Sequence, residues 1–201
     1  MCATPVELRR EDHRSLTAYA AVPIAYEVRE ALQTPVVGEG ALQHRIVRPA
    51  YRKDYDAIPG NRPQDWPTRF AVDRAEFIAA YAGGERVGGA VAVVEPTDVA
   101  RLGGEHPLVL LWDLRVAPEA RGRGIGRALL AAVETRLREI GIPGVVVETQ
   151  DTNVAACHLY AGAGYGIRSV DPNASEQLPG ETQIIWVKLF NSWRRRPRMT
   201  R

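Results

Sequence analysis

Apolar and polar positions alternate in short runs along most of the chain, and one stretch keeps a helical period over several turns. Ile125, Ala128, Leu129, Ala132, Val133, Leu137 and Ile140 form a single stripe at a 3.6-residue period. Gly141 and Pro143 follow where a C′ glycine and a helix breaker belong. The spacing predicts an amphipathic helix that lays its stripe on a sheet. Before it runs a hydrophobic strand, Leu108 to Val116. After it, Val145 to Thr149 is a β-branched run that reads as a buried parallel strand joined by a right-handed crossover. A second helix over Asn153 to Ala161 and two strands, Tyr165 to Val170 and Thr182 to Leu189, complete this half.

Upstream, Thr4 to Arg10 reads as a strand and Glu11 to Arg14 opens a short helix toward Tyr19. Tyr26 to Leu32 and Leu42 to Val47 read as strands joined across a turn-rich connection, Pro35 to Gly40. Tyr51 and Tyr55 stand among charges, a pattern that suits either a recognition surface or an ordinary amphipathic edge. Prolines and a glycine make Ile58 to Pro63 a loop. Ala75 to Tyr81, Gly83-Gly84 and Arg86 to Glu95 read as a tight hairpin, and Val99 to Glu105 as a polar turn. These elements predict an α/β chain whose mixed, largely antiparallel sheet surrounds one parallel pair and is flanked by helices.

With 201 residues and 45% apolar content, the expectation is one domain over 1–190 followed by a basic tail, 191–201. The tail carries five arginines and no acid, so the small net charge of +2 hides a mildly acidic body. A short basic end of this kind reads as a solvated terminus, with no nucleic-acid partner expected. No apolar run approaches a membrane span and no leader pattern opens the chain, so a cytoplasmic protein without membrane contacts is expected. Two cysteines and four scattered histidines suggest neither a disulfide framework nor a metal site. A homodimer is compatible with the sequence.

The chemistry gathers in the loop before the long helix, Arg121-Gly122-Arg123-Gly124-Ile125-Gly126-Arg127. Three glycines in five residues let successive N–H groups converge at the positive end of a helix dipole, and three arginines surround that point. This is a seat for a pyrophosphate. No Gly-Lys-Ser/Thr ending supports a Walker nucleotide loop, and the glycine spacing is wrong for a dinucleotide fingerprint.

The Arg-x-x-Gly-x-Gly loop, with Leu114 to Glu119 before it and Asn153 to Tyr165 after it, resembles the acyl-CoA motif of the GCN5-related N-acetyltransferase (GNAT) family. Tyr51 to Tyr55, Glu148 to Tyr160, Val170-Asp171 and Glu181 to Trp186 are similar to the streptothricin acetyltransferase branch of that family. The likeness to the branch runs from about residue 42 to 190. One departure stands out: Pro59 to Pro67 replaces an acid-rich insertion typical of the branch.

The resemblance implies a direct transfer from acetyl-CoA, without a metal, to a primary amine on a small cationic molecule such as a streptothricin-type antibiotic. Acetylation of a protein N-terminus or lysine, and a CoA-binding module without catalysis, are the alternatives. It implies that the parallel strands splay, that backbone groups of Leu114 and Val116 pair with the pantetheine arm, and that residues 121–127 take the pyrophosphate. Seven residues separate Asn153 from Tyr160, so both lie on one helix face. Asn153 is thereby expected to hold the arm and Tyr160 to protonate the leaving sulfur. Glu148 is the leading base, Asp113 its rival, and Tyr51 and Tyr55 are candidates for the acceptor side. Cys157 is expected to pack rather than to act as a nucleophile.

Overall fold

A computed structural model of the chain describes residues 5–33, 42–93, 108–174 and 177–190. Among the described residues nine strands are formed: β1 (Val6–Glu11), β2 (Tyr26–Leu32), β3 (His44–Lys53), β4 (Ala75–Ala82), β5 (Glu85–Val93), β6 (Val109–Val116), β7 (Gly144–Gln150), β8 (Gly166–Asp171) and β9 (Gln183–Leu189). Three α-helices accompany them among the same residues: α1 (Leu16–Ala20), α2 (Ile125–Glu139) and α3 (Val154–Gly162). Seven strands make one sheet in the order β1-β4-β5-β6-β7-β9-β8, and β2 and β3 pair as a separate ribbon. Every neighbouring pair is antiparallel except β6 and β7. The expected mixed sheet around one parallel pair is therefore present.

Helix α2 buries Ile125, Leu129, Val133 and Leu137 against the sheet, as its stripe predicts. Two positions depart from the stripe. Leu130 is buried with them, whereas Ile140 is 38% exposed because the helix ends at Glu139 and the chain turns away through Gly141, whose φ is +79°. Glu134 lies on the buried face too, which is tolerable because Lys188 and Arg138 reach its carboxylate at 2.7 and 2.9 Å.

The β4–β5 hairpin turns through Gly83 and Gly84, both at positive φ, as a two-residue turn of this kind requires. Strand β3 runs to Lys53, beyond the expected end at Val47, so Tyr51 lies in a strand and Tyr55 in the 3₁₀ turn Tyr55–Ala57 that follows. Pro49, which cannot donate to a ladder, falls within β3. The ribbon accommodates it by a register shift between Val28 and Glu30, which leaves pairing on either side. Cys2, the Pro35–Gly40 connection, the Val99–Glu105 turn and the 191–201 tail lie outside the described residues. Among the described residues no helix is long and apolar enough to cross a membrane.

Candidate active site

Strands β6 and β7 pair over only three positions, Val109 with Val145 to Leu111 with Val147. Beyond them the strands part, yet each stays bound on its outer side: β6 to β5 as far as Val116, and β7 to β9 as far as Gln150. The parting begins at a bulge. Val91 pairs with Asp113 and Ala92 with Leu111, so Trp112 is an extra residue without a partner on β5. A bulge bends its strand and strengthens the local twist, and here it turns β6 away from β7. The inner edge of residues 112–116 is left open for an extended ligand to pair with.

That edge leads to the N-terminus of α2. Gly122 and Gly124 have φ of +73° and +79°, and Gly124 is the N-cap. No side chain caps the helix and no acid stands in its first turn. The first amides therefore point outward with a positive dipole end, which suits a pyrophosphate. Gly126 has ordinary φ, and a Cβ there would meet Leu159, Leu114 and Val116 only at 3.5–4.0 Å. The chain's own packing gives no reason for glycine at 126, so its smallness serves close approach from outside. Ile125 contributes its backbone alone, since its side chain is buried. Arg123 and Arg127 stand beside the loop on exposed positions, with the Arg127 guanidinium close to Gly162 of α3. Arg121 has contacts of its own within the chain. Its Nε–H donates to the Val116 carbonyl at 2.9 Å and its Nη2 to the Ile24 carbonyl at 3.2 Å, so it braces the loop against the strand edge. The Val116 carbonyl is thus already occupied.

The two candidate bases have opposite surroundings. Asp113 is nearly buried. Its Oδ1 accepts the Tyr19 hydroxyl at 2.5 Å and Arg115 Nε at 2.9 Å, while Oδ2 accepts Arg115 Nη2 at 2.8 Å. The remaining Arg115 donors go to both oxygens of Asp56, at 2.9 and 3.1 Å, and to the Val22 carbonyl at 3.2 Å. Burial alone would lower the Arg115 pKa, but Asp113 and then Asp56 raise it well above its ordinary value. Tyr19 and Trp66 flank the guanidinium, with ring centroids 5.0 and 6.0 Å away. A carboxylate held this way accepts three hydrogen bonds and has its charge matched by Arg115, so it anchors the fold.

Glu148 is exposed, and Gln150 Nε2 donates to it at 3.3 Å. Gln150 Oε1 in turn accepts the Tyr55 hydroxyl at 2.6 Å. Tyr55 is half-buried and supports Gln150, and burial first, then the nearby Tyr26, raises its pKa well above normal. Of the two tyrosines considered for the acceptor side, Tyr51 is the more open. It is 38% exposed, and its hydroxyl donates to Glu181 at 3.0 Å. Lys53 and Thr152 also reach Glu181. A cavity of about 540 Å³ lies here, lined by Arg45, Arg52, Lys53, Asp54, Thr152 and Glu181 among others. Gln150 escaped the sequence reading, although its position two residues from Glu148 on a strand places both on one face.

Tyr160 projects from α3 into the core, its ring 5.7 Å from Tyr165 and 6.3 Å from Trp186. Its hydroxyl has no hydrogen-bond partner among the described residues, and burial, followed by the charge of Asp113, pushes its pKa up. The phenol stays protonated. Asn153 is the N-cap of α3, outside the helix and not on its face, with Oδ1 accepting the Ala156 N–H at 3.2 Å. Cys157 is fully buried, and burial first, then the charge of Asp151, pushes its thiol up to about 12.

A splayed parallel pair leading to an uncapped, glycine-lined helix start defines the class. The chain belongs to the acetyltransferase (GNAT) family, whose model matches residues 41–165. Within it, the chain is 36% identical over 83 residues to streptothricin acetyltransferase A of Bacillus subtilis, covering 40% of this chain and 48% of that one. It is 34% identical over 102 residues to the mycothiol acetyltransferase of Sanguibacter keddieii, covering 49% and 30%. These matches span about half or less of the relatives' lengths. The streptothricin acetyltransferase of Streptomyces lavendulae matches over 148 residues at 28% identity, covering 73% and 74%. Among solved structures, a protein of Bacillus anthracis described as a streptothricin acetyltransferase, in complex with acetyl coenzyme A, superposes with a TM-score of 0.72 at 21% identity. It covers 93% of this chain and 99% of that one, and at this identity it shows the shared fold.

Proposed function

We propose that the protein is an acetyl-CoA-dependent N-acetyltransferase that moves the acetyl group directly to a primary amine of a small cationic molecule of the streptothricin type. One observation carries the reading: the opening between β6 and β7, with the exposed carboxylate of Glu148 on β7, leads along the free edge of β6 to the uncapped start of α2. Acetyl-CoA supplies an activated acetyl thioester. Residues 112–116 offer backbone groups to its arm, and residues 122–127 offer amides and guanidinium groups to its pyrophosphate. The likeness to streptothricin acetyltransferases supports the acceptor class.

The proton balance assigns the remaining roles. An acceptor ammonium loses two protons on becoming an amide; one returns to the departing thiol and one goes to solvent. Glu148 takes the first, because it is exposed and Gln150 holds it by a neutral hydrogen bond. Tyr160 gives the proton to sulfur, since its phenol is protonated throughout the working range.

Isothermal titration with acetyl-CoA, followed by thiol release on adding streptothricin, tests the reading. Saturable binding and release are expected. Release on peptides alone would replace the acceptor class, and absence of acetyl-CoA binding would remove the acetyltransferase reading itself.

A further inference from the structure

The carboxylates around the parting strands are almost all committed to cations. Asp113 and Asp56 hold Arg115, Asp151 holds Arg45 at 3.0 Å, and Glu181 holds Lys53. Glu148 has no cationic partner among the described residues. Its neighbour on the same face is Trp112. Leu110 pairs with Val146 and Glu148 with Ile185, and Trp112 packs against the cluster built by Leu110, Val146 and Ile185. Side chains at successive odd or even positions share a face, so the indole and the carboxylate flank the point where the strands part.

The indole already faces a cation. The Arg69 guanidinium carbon stands 4.9 Å from the centroid of Trp112, while Phe70 packs on the same indole at 4.8 Å and Trp66 meets it edge-on at 6.2 Å. Arg69 is exposed, and its other side-chain contact is a long one, 3.5 Å to Asn61 Oδ1. An aromatic face beside an unpaired carboxylate is chemistry that selects ammonium ions. The large cavity has the opposite bias, because Arg45, Arg52 and Lys53 outnumber Asp54 and Glu181 on its walls.

We propose that Trp112 and Glu148 form the cation subsite that receives the reacting ammonium of the acceptor, and that this ammonium takes the place of Arg69 over the indole. The role in turnover rests on the N-acetyltransferase reading; the binding does not need acetyl-CoA. Arg69 thereby sets the threshold for entry: a ligand must offer a better cation than a loosely tethered guanidinium. Polyamines and basic side chains meet that condition, and neutral amine surrogates do not.

The test is a titration of ¹⁵N-labelled protein with spermidine, observing the indole Nε1–H signals against sodium chloride at matched ionic strength. The Trp112 signal, identified by its absence in Trp112→Phe, is expected to shift saturably with spermidine and not with salt. Should Trp112→Phe not fold, sequential assignment identifies the signal instead. Arg69→Met is expected to tighten the titration by about threefold to tenfold, since it removes the resident cation. Glu148→Gln is expected to weaken it by about fivefold or more. A Trp112 signal that ignores spermidine, or a midpoint unchanged by Arg69→Met, overturns the proposal. Acetyl-CoA titration of the same sample separates the two readings. Acetyl-CoA binding without a Trp112 response removes only the subsite, whereas a Trp112 response without acetyl-CoA binding keeps the subsite and removes the transferase reading.

Discussion

The two arms of the parting strands each carry a carboxylate, and the arms have been put to opposite uses. On β6, Asp113 is nearly buried and shares Arg115 with Asp56, so all five guanidinium N–H groups are spoken for. On β7, Glu148 is exposed and, among the described residues, its carboxylate is hydrogen-bonded by the amide of Gln150 alone. By sequence Glu148 leads and Asp113 is its rival, each a carboxylate on a strand lining the same opening. Partners decide between them. A charge that is desolvated must be neutralised by its surroundings, and that neutralisation removes it from chemistry; a solvated charge remains available for a ligand. The clamp also does something for the site, because Arg115 lies between Leu114 and Val116, whose backbone forms the open edge. It ties that edge to the Val22 carbonyl and to Asp56.

Breaking the β6 arm is expected to have the largest effect. Arg115→Met leaves two carboxylates facing each other without a cation, and loss of one partner of a buried ion pair costs about 3–5 kcal/mol. Urea unfolding should show the midpoint falling accordingly, with turnover lost alongside; an unchanged midpoint would remove the structural role of Asp113 and restore it as a rival base. Breaking the β7 arm should do the reverse. Glu148→Gln is expected to lower kcat by roughly 10²–10⁴-fold, the usual worth of a general base, with an unchanged unfolding midpoint. Tyr160→Phe is expected to cost less, roughly 10- to 100-fold in kcat, because loss of the acid can be met in part by water. Since burial holds the Tyr160 phenol above its ordinary value, wild-type kcat should not fall on the alkaline side before about pH 10. A fall well below that pH would take the proton donation away from Tyr160.

The helix start offers a smaller and cleaner perturbation. Gly124 sits at φ +79° with open space around it, so Gly124→Ala strains the backbone without a clash. A cost of about 1 kcal/mol in stability is expected. Acetyl-CoA binding should weaken with it, and the spermidine response at Trp112 should not, which separates the two ends of the site.

What the sequence made legible was local. The stripe of α2, its glycine stop and the Arg-Gly loop are each written within a few residues, and the strands around them follow from β-branched runs. The partnerships that decide roles were not, because they span the chain. Tyr19 and Asp113 are 94 residues apart, Arg115 and Asp56 are 59 apart, and Trp112 becomes a bulge only once β5 is beside it. Asn153 shows the same limit at short range. A seven-residue interval puts it on the face of Tyr160 if the helix includes both, but an asparagine at a helix start is more stable as the cap, and its oxygen is spent on the Ala156 N–H. The long β3 escaped because a proline within a run argues against a strand, and the register shift that accommodates it has no signature in composition.

Cys157 gives the smallest effect on turnover and the sharpest pH dependence. Its thiol is fully buried, with Sγ 3.7 Å from the Gln150 carbonyl, and burial together with the charge of Asp151 holds its pKa near 12. Cys157→Ala should therefore leave kcat within about twofold, since no thiolate is present to be lost. The linkage runs in one direction. The folded thiol stays neutral while an unfolded one ionises above about pH 8.5, so this contribution to stability is complete below that pH and fades as pH climbs toward 12. At pH 10 the loss is about 2 kcal/mol relative to neutral pH, less whatever the unfolded chain retains in residual structure. The buried tyrosines push in the same direction, but they are common to both proteins. Subtracting the pH–stability curve of Cys157→Ala from that of the wild type thus isolates the thiol. A difference that stays flat between pH 8 and 10 would mean that Cys157 ionises as readily folded as unfolded, and the case against it as a nucleophile would then have to rest on geometry alone.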